Sequence, residues 1–406
     1  MDHPDLDEAL PPAPTPWASS SMPLPRDEPP FHMTEMIDAE PGVAIRILDR
    51  LAVAGSARRL ATAIRDTARA GQPILVVGCG TSEHAAQAVV EILREAMREA
   101  GLPAAPGVSG GPIPIQAFEA SLVPGLAGAG SLVIGVSHEG GTAATNRALA
   151  AARAGGATTV LITASAESPG AGLADLVLET VEVDQSWCHT VGYLSPIVSA
   201  SAVAAELTAT TLDAVAVRFA IAAGLQPAAV AAAEALAANL APLERIVVIG
   251  SGADRVAARE LVLKIEEGSH IPAAMRDLET LLHGHLAGID EHTGVIAVLA
   301  TRDGRGPRIA RTRQALAAVR ELGAPAGAIL TADAAGAVPA ALTPAGRIVV
   351  GEAPTLGPAA AALLSTAVPL QLLTERLARV RGVNPDPIRR DDPRYLAAAA
   401  AADSEA

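Results

Sequence analysis

The stretch Pro73-Ile-Leu-Val-Val-Gly78-Cys79-Gly80-Thr81-Ser82 decides the fold. Its apolar run, bounded by a proline and a glycine and rich in β-branched residues, has the length of a buried strand. The glycines then break the strand before a helical pattern that runs to Glu99. The same order returns at Arg245-Ile-Val-Val-Ile-Gly250-Ser251-Gly252-Ala253, 172 residues after Gly78, so an internal repeat is predicted.

Working outward, further strands are predicted over 112–117, 131–136, 158–163 and 176–183. A helix follows residue 142, and long helices over 194–225 close the first half. In the second half the pattern predicts strands over 294–300, 326–330 and 347–350, with a helix over 308–322. Upstream, Ile37, Val43, Ile45, Leu48, Leu51, Leu60 and Ile64 recur at helical spacing, which makes 34–70 a helical arm. Strands alternating with helices pair in parallel. The expected class is therefore α/β, with two similar halves. The expected divisions are a Pro-rich tail without fixed structure over 1–33, a first domain over 34–225, a second over 226–382 and a C-terminal tail over 383–406. A length of 406 residues suits two cores.

Half of the residues are hydrophobic but only 2% are aromatic, so the interior is built from Ala, Val, Leu and Ile, as buried parallel strands require. A net charge of -14 without any basic block argues against nucleic acid as a partner. The two cysteines, Cys79 and Cys188, are too few for a disulfide framework and fit a reducing compartment. The N-terminus lacks the basic start and apolar run of a secretory signal, and no uninterrupted apolar run of about 20 residues suggests a membrane span. A cytoplasmic location is expected.

A glycine turn between strand and helix exposes backbone N–H groups at the positive end of the helix dipole. The first half has two such turns, Gly78 to Ser82 and Ser137-His138-Glu139-Gly140-Gly141-Thr142. Thr81, Ser82, Ser137 and Thr142 either add hydroxyl donors for an anion or merely cap helices. Both strand-end turns, at Gly78 and Gly250, lack the third glycine of a dinucleotide fingerprint and the lysine of a P-loop, so no cofactor is expected. Glu260, Lys264 and Glu267 are spaced by four and three residues and share one helix face. That face is either a solvated salt-bridge ladder or, at a strand end, an acid–base site. His283 offers an acid or base near neutral pH. A metal would need Cys188 or His189 as ligands without any ligand spacing to support it, so none is expected. Cys79 reads as a small buried residue, with a helix-activated thiolate as the alternative.

These residues resemble the SIS (sugar isomerase) domain family, and within it the isomerase half of glucosamine-6-phosphate synthases, over about 34–390. The most specific stretch runs from Ala258-Arg-Glu-Leu-Val-Leu-Lys-Ile-Glu-Glu-Gly-Ser-His-Ile through His283-Gly284-His-Leu-Ala-Gly-Ile-Asp290. The resemblance implies two tandem SIS domains, each a three-layer α/β/α flavodoxin-like sandwich, and a sugar- or amino-sugar-phosphate ligand. It makes Glu267 the base that moves a proton between C1 and C2, with Glu260 and Lys264 lining the site. His283 becomes the ring-opening histidine, reaching in from a neighbouring subunit, which implies a homodimer. Gly80, Thr81, Ser82, Ser137, His138, Glu139 and Thr142 form the phosphosugar loops. Because an ammonium beside Glu267 would weaken it as a base, Lys264 is expected to pair mainly with Glu260.

The sequence also departs from the family. No glutaminase domain precedes the arm, so glutamine is not expected as nitrogen donor. The family's Schiff-base lysine near the C-terminus has no counterpart in 382–394, and Val191 follows Thr190 where a lysine is usual. Glu139 stands where the synthases carry a phosphate-binding serine; two like charges at about 4 Å repel by roughly 4 kcal/mol at an effective dielectric near 20. The resemblance thus implies an isomerase or deaminase of a hexosamine- or fructosamine-type phosphate. A plain phosphosugar isomerase and a non-catalytic sugar sensor are the alternatives.

Overall fold

The structure, a computed structural model, describes residues 23–103, 111–123 and 126–403. Most of the expected N-terminal tail, residues 1–22, lies outside the described residues. The chain proper opens with an arm of two helices, α1 (His32–Ala54) and α2 (Ser56–Arg69). The first half continues through β1 (Ile74–Gly78), α3 (Thr81–Glu99), β2 (Ile113–Gln116), α4 (Ala117–Leu122), β3 (Leu132–Val136), α5 (Ala143–Ala154), β4 (Thr158–Thr163) and β5 (Leu176–Glu179). Helices α6 (Val191–Thr208) and α7 (Ala214–Ala222) close it. The second half runs through α8 (Pro227–Leu240), β6 (Arg245–Gly250), α9 (Ala253–Lys264), β7 (Ala273–Asp277), α10 (Leu278–Leu282), β8 (Thr293–Leu299), α11 (Arg305–Glu321), β9 (Ala326–Thr331), α12 (Ala332–Ala337) and β10 (Gly346–Val350). It ends with α13 (Pro358–Val380) and α14 (Pro393–Asp403).

Both sheets are five-stranded and parallel, ordered β2-β1-β3-β4-β5 and β7-β6-β8-β9-β10. Strand for strand the two orders are the same, the doubly wound arrangement in which ligands gather beyond the strand ends. Alternation along each strand explains the layers: Ile74 and Val76 face the core shared by both halves, whereas Leu75 and Val77 face a core private to the first. In β8, Ile296 and Val298 face the shared core while Val295 and Ala297 face the second half's own. The chain is thus two sheets back to back, with the inner helices α3, α6, α9 and α13 packed between them.

The repeat extends to backbone detail. A Cβ on Gly78 would lie 2.3 Å from the Ser82 carbonyl oxygen, and one on Gly250 would lie 2.6 Å from that of Asp254. Only glycine lets the helix pass so close to the strand. Two expectations are corrected. The strand over 176–183 stops at Glu179, because Val181 takes φ +68° and breaks the ladder. The edge strand β7 was not predicted: Ala-Ala-Met-Arg-Asp lacks the branched run that marked the others. Helix α6 is long and apolar enough to cross a membrane, and 72% of that stretch is buried inside the protein.

Candidate active site

Helices α3 and α9 leave equivalent glycine turns and pack on one another across the boundary between halves. His84, in the first turn of α3, sets its Nδ1 2.7 Å from Glu260 Oε2 on α9. Beside them Arg259 and Glu83 make an ion pair at 3.2 Å. One turn on, α9 widens into an i→i+5 turn over Ile265–Ser269, which brings the Glu267 carboxylate into a hydrogen bond with Lys264 Nζ. Glu260 Oε1 stands 3.6 Å from the same ammonium. Lys264 is therefore held most closely by Glu267, not by Glu260 as expected. The widened turn lowers Glu267 onto Nζ, while Glu260 gives its other oxygen to His84.

The side chains of Glu260 and Lys264 are fully buried, but that of Glu267 keeps 21% of its exposure. A solvated ladder is excluded by this burial. Lys264 is also the only lysine among the 406 residues, against 29 arginines. In a chain that otherwise uses arginine throughout, this position holds the compact ammonium, a point charge able to fit between two carboxylates. Burial opposes its charge, yet Glu267 and Glu260 hold its pKa well above the ordinary value. Burial raises the Glu267 carboxyl above its usual range even against the pull of Lys264. Nearby, burial pushes the Cys188 thiol well up, which removes it as a nucleophile.

Strands β1 and β3 are neighbours, so their two glycine turns lie side by side, and Thr145 of α5 donates to Cys79 Sγ at 4.0 Å between them. Burial raises the Cys79 thiol, against helix activation. Gly80 adopts φ +57° at the start of α3. No side chain caps α3 or α5, so Thr81, Ser82 and Thr142 are not spent on capping. Ser137 donates to Thr142 at 3.4 Å. His138 is turned away from the open side of its turn: its Nε2 accepts from the Asp184 backbone N–H at 2.9 Å, and its ring tilts against His189 at 5.5 Å. Burial lowers its pKa and keeps the ring neutral. Asp184 is itself buried and accepts from Thr190, Val191 and Gly192 at the start of α6. Glu139 stays at the turn, its pKa pushed up to about 7 by burial and by the charge of Asp184, against Arg390. Arg390 comes from the C-terminal segment and stacks over Trp187 at 3.7 Å. That segment is docked by Asp386, which accepts from the first N–H groups of α1 at His32 and Met33.

The second half's own turn is covered by a side chain of the same half. Arg308 covers Gly252 and donates to Ser251, and Asp254, where the first turn has Ser82, turns inward to accept from Ala300 and Thr301. At the first half's turn a Cβ on Gly80 would meet nothing within 4 Å. His283 is not brought to the cluster within the chain: it is 69% exposed and bonds Glu279 at 2.9 Å, which Arg311 also holds. Sequence reasoning missed His84, Asp184 and Arg390, whose partners are distant in the chain. Among the described residues no group of three or more His, Cys, Asp or Glu side chains is arranged to hold a metal. A cleft of about 380 Å³ lined by Glu95, Asp213, Arg302 and Thr355 lies at the far end of α3, away from these turns.

The family profile for the SIS domain matches residues 117–217 and 239–373. The chain belongs to the SIS-domain family. No curated protein sequence matches it. Among solved structures, the C-terminal domain of glucosamine-fructose-6-phosphate aminotransferase from Francisella tularensis superposes with a TM-score of 0.73 at 21% identity, covering 89% of this chain and 99% of that one. Tagatose-6-phosphate ketose/aldose isomerase from Escherichia coli gives 0.68 at 16%, covering 93% and 97%. Glucosamine-6-phosphate deaminase from Thermotoga maritima gives 0.63 at 18%, covering 88% and 97%. At such identities the likeness speaks for the fold: two tandem SIS domains, arranged as in these enzymes.

Proposed function

We propose that this SIS protein is a sugar-phosphate isomerase, or a deaminase built on the same step, that moves a proton between C1 and C2 of an opened hexose or hexosamine phosphate. The observation that carries the reading is the grading of exposure along one helix. Glu260 and Lys264 are sealed, and Glu267 alone of the three keeps part of its exposure. A base must touch its substrate, and a carboxylate held above its ordinary pKa is tuned for exchange near neutral pH. Glu267 takes the proton from one carbon and, as the neutral acid, returns it to the next, while the Lys264 ammonium holds the carboxylate in place before and after the transfer. Gly80, Thr81, Ser82, Ser137 and Thr142 hold the phosphate with backbone and hydroxyl donors. His283 of a second copy opens the sugar ring, in a homodimer.

A plain isomerase that releases no ammonia is the second reading. It is favoured by the lysine count, since the chain's one lysine is clamped as an ammonium and cannot form an imine. Incubation in heavy water with glucosamine 6-phosphate, fructose 6-phosphate and a fructosamine phosphate tests both. Deuterium is expected at the exchanged carbon, and ammonia release separates deaminase from isomerase. Glu267→Gln is expected to lose exchange by about 10²- to 10⁴-fold while keeping ligand-induced thermal stabilisation. Exchange undiminished in that variant removes Glu267 as the base.

A further inference from the structure

We propose that His84 is a positioning residue that stores the proton Glu267 must lack in order to act as a base, the two groups sharing one proton across Glu260 and Lys264. The inference rests on the reading of Glu267 as base and goes beyond it. Its ground is the arrangement of four groups: His84 Nδ1 at 2.7 Å from Glu260 Oε2, Glu260 Oε1 at 3.6 Å from Lys264 Nζ, and Lys264 hydrogen-bonded to Glu267. Glu260 and Lys264 are fully buried, and the His84 side chain is only 12% exposed.

Two carboxylates and one ammonium leave one negative charge in excess, and a cluster in which two of the three groups are fully buried tolerates an unbalanced charge poorly. One further proton restores neutrality, and it has two places to sit. On Glu267 it disables the base. On His84 it forms an imidazolium that Glu260 holds through Nδ1–H, and Glu267 is free to attack. Moving from the first state to the second breaks the O–H bond at Glu267 and makes an N–H bond at His84, with no net change in protons. The surrounding groups do not supply this proton. Glu83 is neutralised by Arg259; Cys188 and Tyr193 are buried with their pKa values pushed well up; His189 is buried and neutral, its pKa lowered to about 3; and Glu40 is a buried acid whose carboxyl is pushed well above its ordinary value. A pair coupled in this way titrates as a unit.

The test follows the Glu267 carboxyl directly, by carbon-13 NMR of the glutamate-labelled protein with Glu267→Gln as the assignment control. His84→Asn keeps a donor toward Glu260 but cannot hold a proton. The expected result is a Glu267 midpoint raised by about one pH unit or more, as loss of a neighbouring positive charge requires. The acid limb of the deuterium-exchange profile should move by the same amount, with the rate recovering at high pH. Introducing Glu260→Gln into both proteins should abolish the difference that His84→Asn makes. An unmoved midpoint overturns the proposal, as does a loss of rate that is uniform across pH. If the midpoint moves but no protein exchanges deuterium, the isomerase reading fails and the shared proton stands. Should His84→Asn fail to fold, His84→Gln is titrated in the same way.

Discussion

Replacing Lys264 by methionine keeps most of the side chain's volume and deletes the ammonium held between Glu260 and Glu267. Glu260 then stands fully buried with only His84 for a partner, and Glu267 loses its nearest cation. Breaking a buried pair by removing one partner costs about 3–5 kcal/mol, because the charge left behind remains desolvated. The sign of the pH dependence follows. Without the ammonium, the carboxyls titrate higher in the folded chain than in the unfolded one, so the folded state binds protons that the unfolded state has released. Stability then falls as pH rises, by up to about 1.4 kcal/mol per unit for each proton. The deficit is expected to be largest near about pH 8.5 and to shrink toward about pH 5.5, as the carboxyls are neutralised. Urea unfolding midpoints of wild type and Lys264→Met across that range measure it. Adding Glu260→Gln should recover part of the loss at high pH. A deficit below about 1 kcal/mol, or one independent of pH, refutes the argument that the ammonium sits there to balance buried carboxylates.

Glu139→Ser tests the carboxylate in the second turn. Its pKa of about 7 means that it is charged mainly above neutrality. The variant should bind a phosphorylated sugar more tightly by up to about three decades near pH 8, and by much less near pH 6. Calorimetric dissociation constants at both values check this, and an equal gain at both shows that Glu139 is not titrating beside the phosphate. For His283, mixing inactive His283→Ala with inactive Glu267→Gln should restore part of the turnover if each site draws its histidine from a second copy. If the mixture stays inactive, the exposed histidine does not complete a neighbour's site.

Legibility in the sequence followed how local each cause was. The glycine turns could be read because the need for Gly78 and Gly250 arises within five residues, where the helix backbone returns against the strand end. The strands with branched runs could be read for the same reason. β7 could not, since its Ala-Ala-Met-Arg-Asp is held at a sheet edge by pairing with β6 and not by its own preference. The premature end of β5 at a left-handed valine also has no local cue.

The site divides along the same line. Glu260, Lys264 and Glu267 are found by spacing, but the pairing among them is reversed because the helix widens between Lys264 and Ser269, a change no side-chain periodicity announces. His84 lies 176 residues from Glu260, and only the packing of α3 on α9 makes them partners. The two turns, alike in sequence, differ in what lies near them in space. At the second, Asp254 satisfies the N–H groups of Ala300 and Thr301 at the neighbouring strand end, and the Arg308 guanidinium stands over Gly252. At the first, Ser82 replaces Asp254 and a Cβ on Gly80 would meet nothing within 4 Å. A duplicated fold therefore leaves one turn uncovered, while α9, the helix that starts from the covered turn, carries the buried Glu260–Lys264 pair. The packing of α3 on α9 explains why the cluster sits at the seam between the halves and not inside either one.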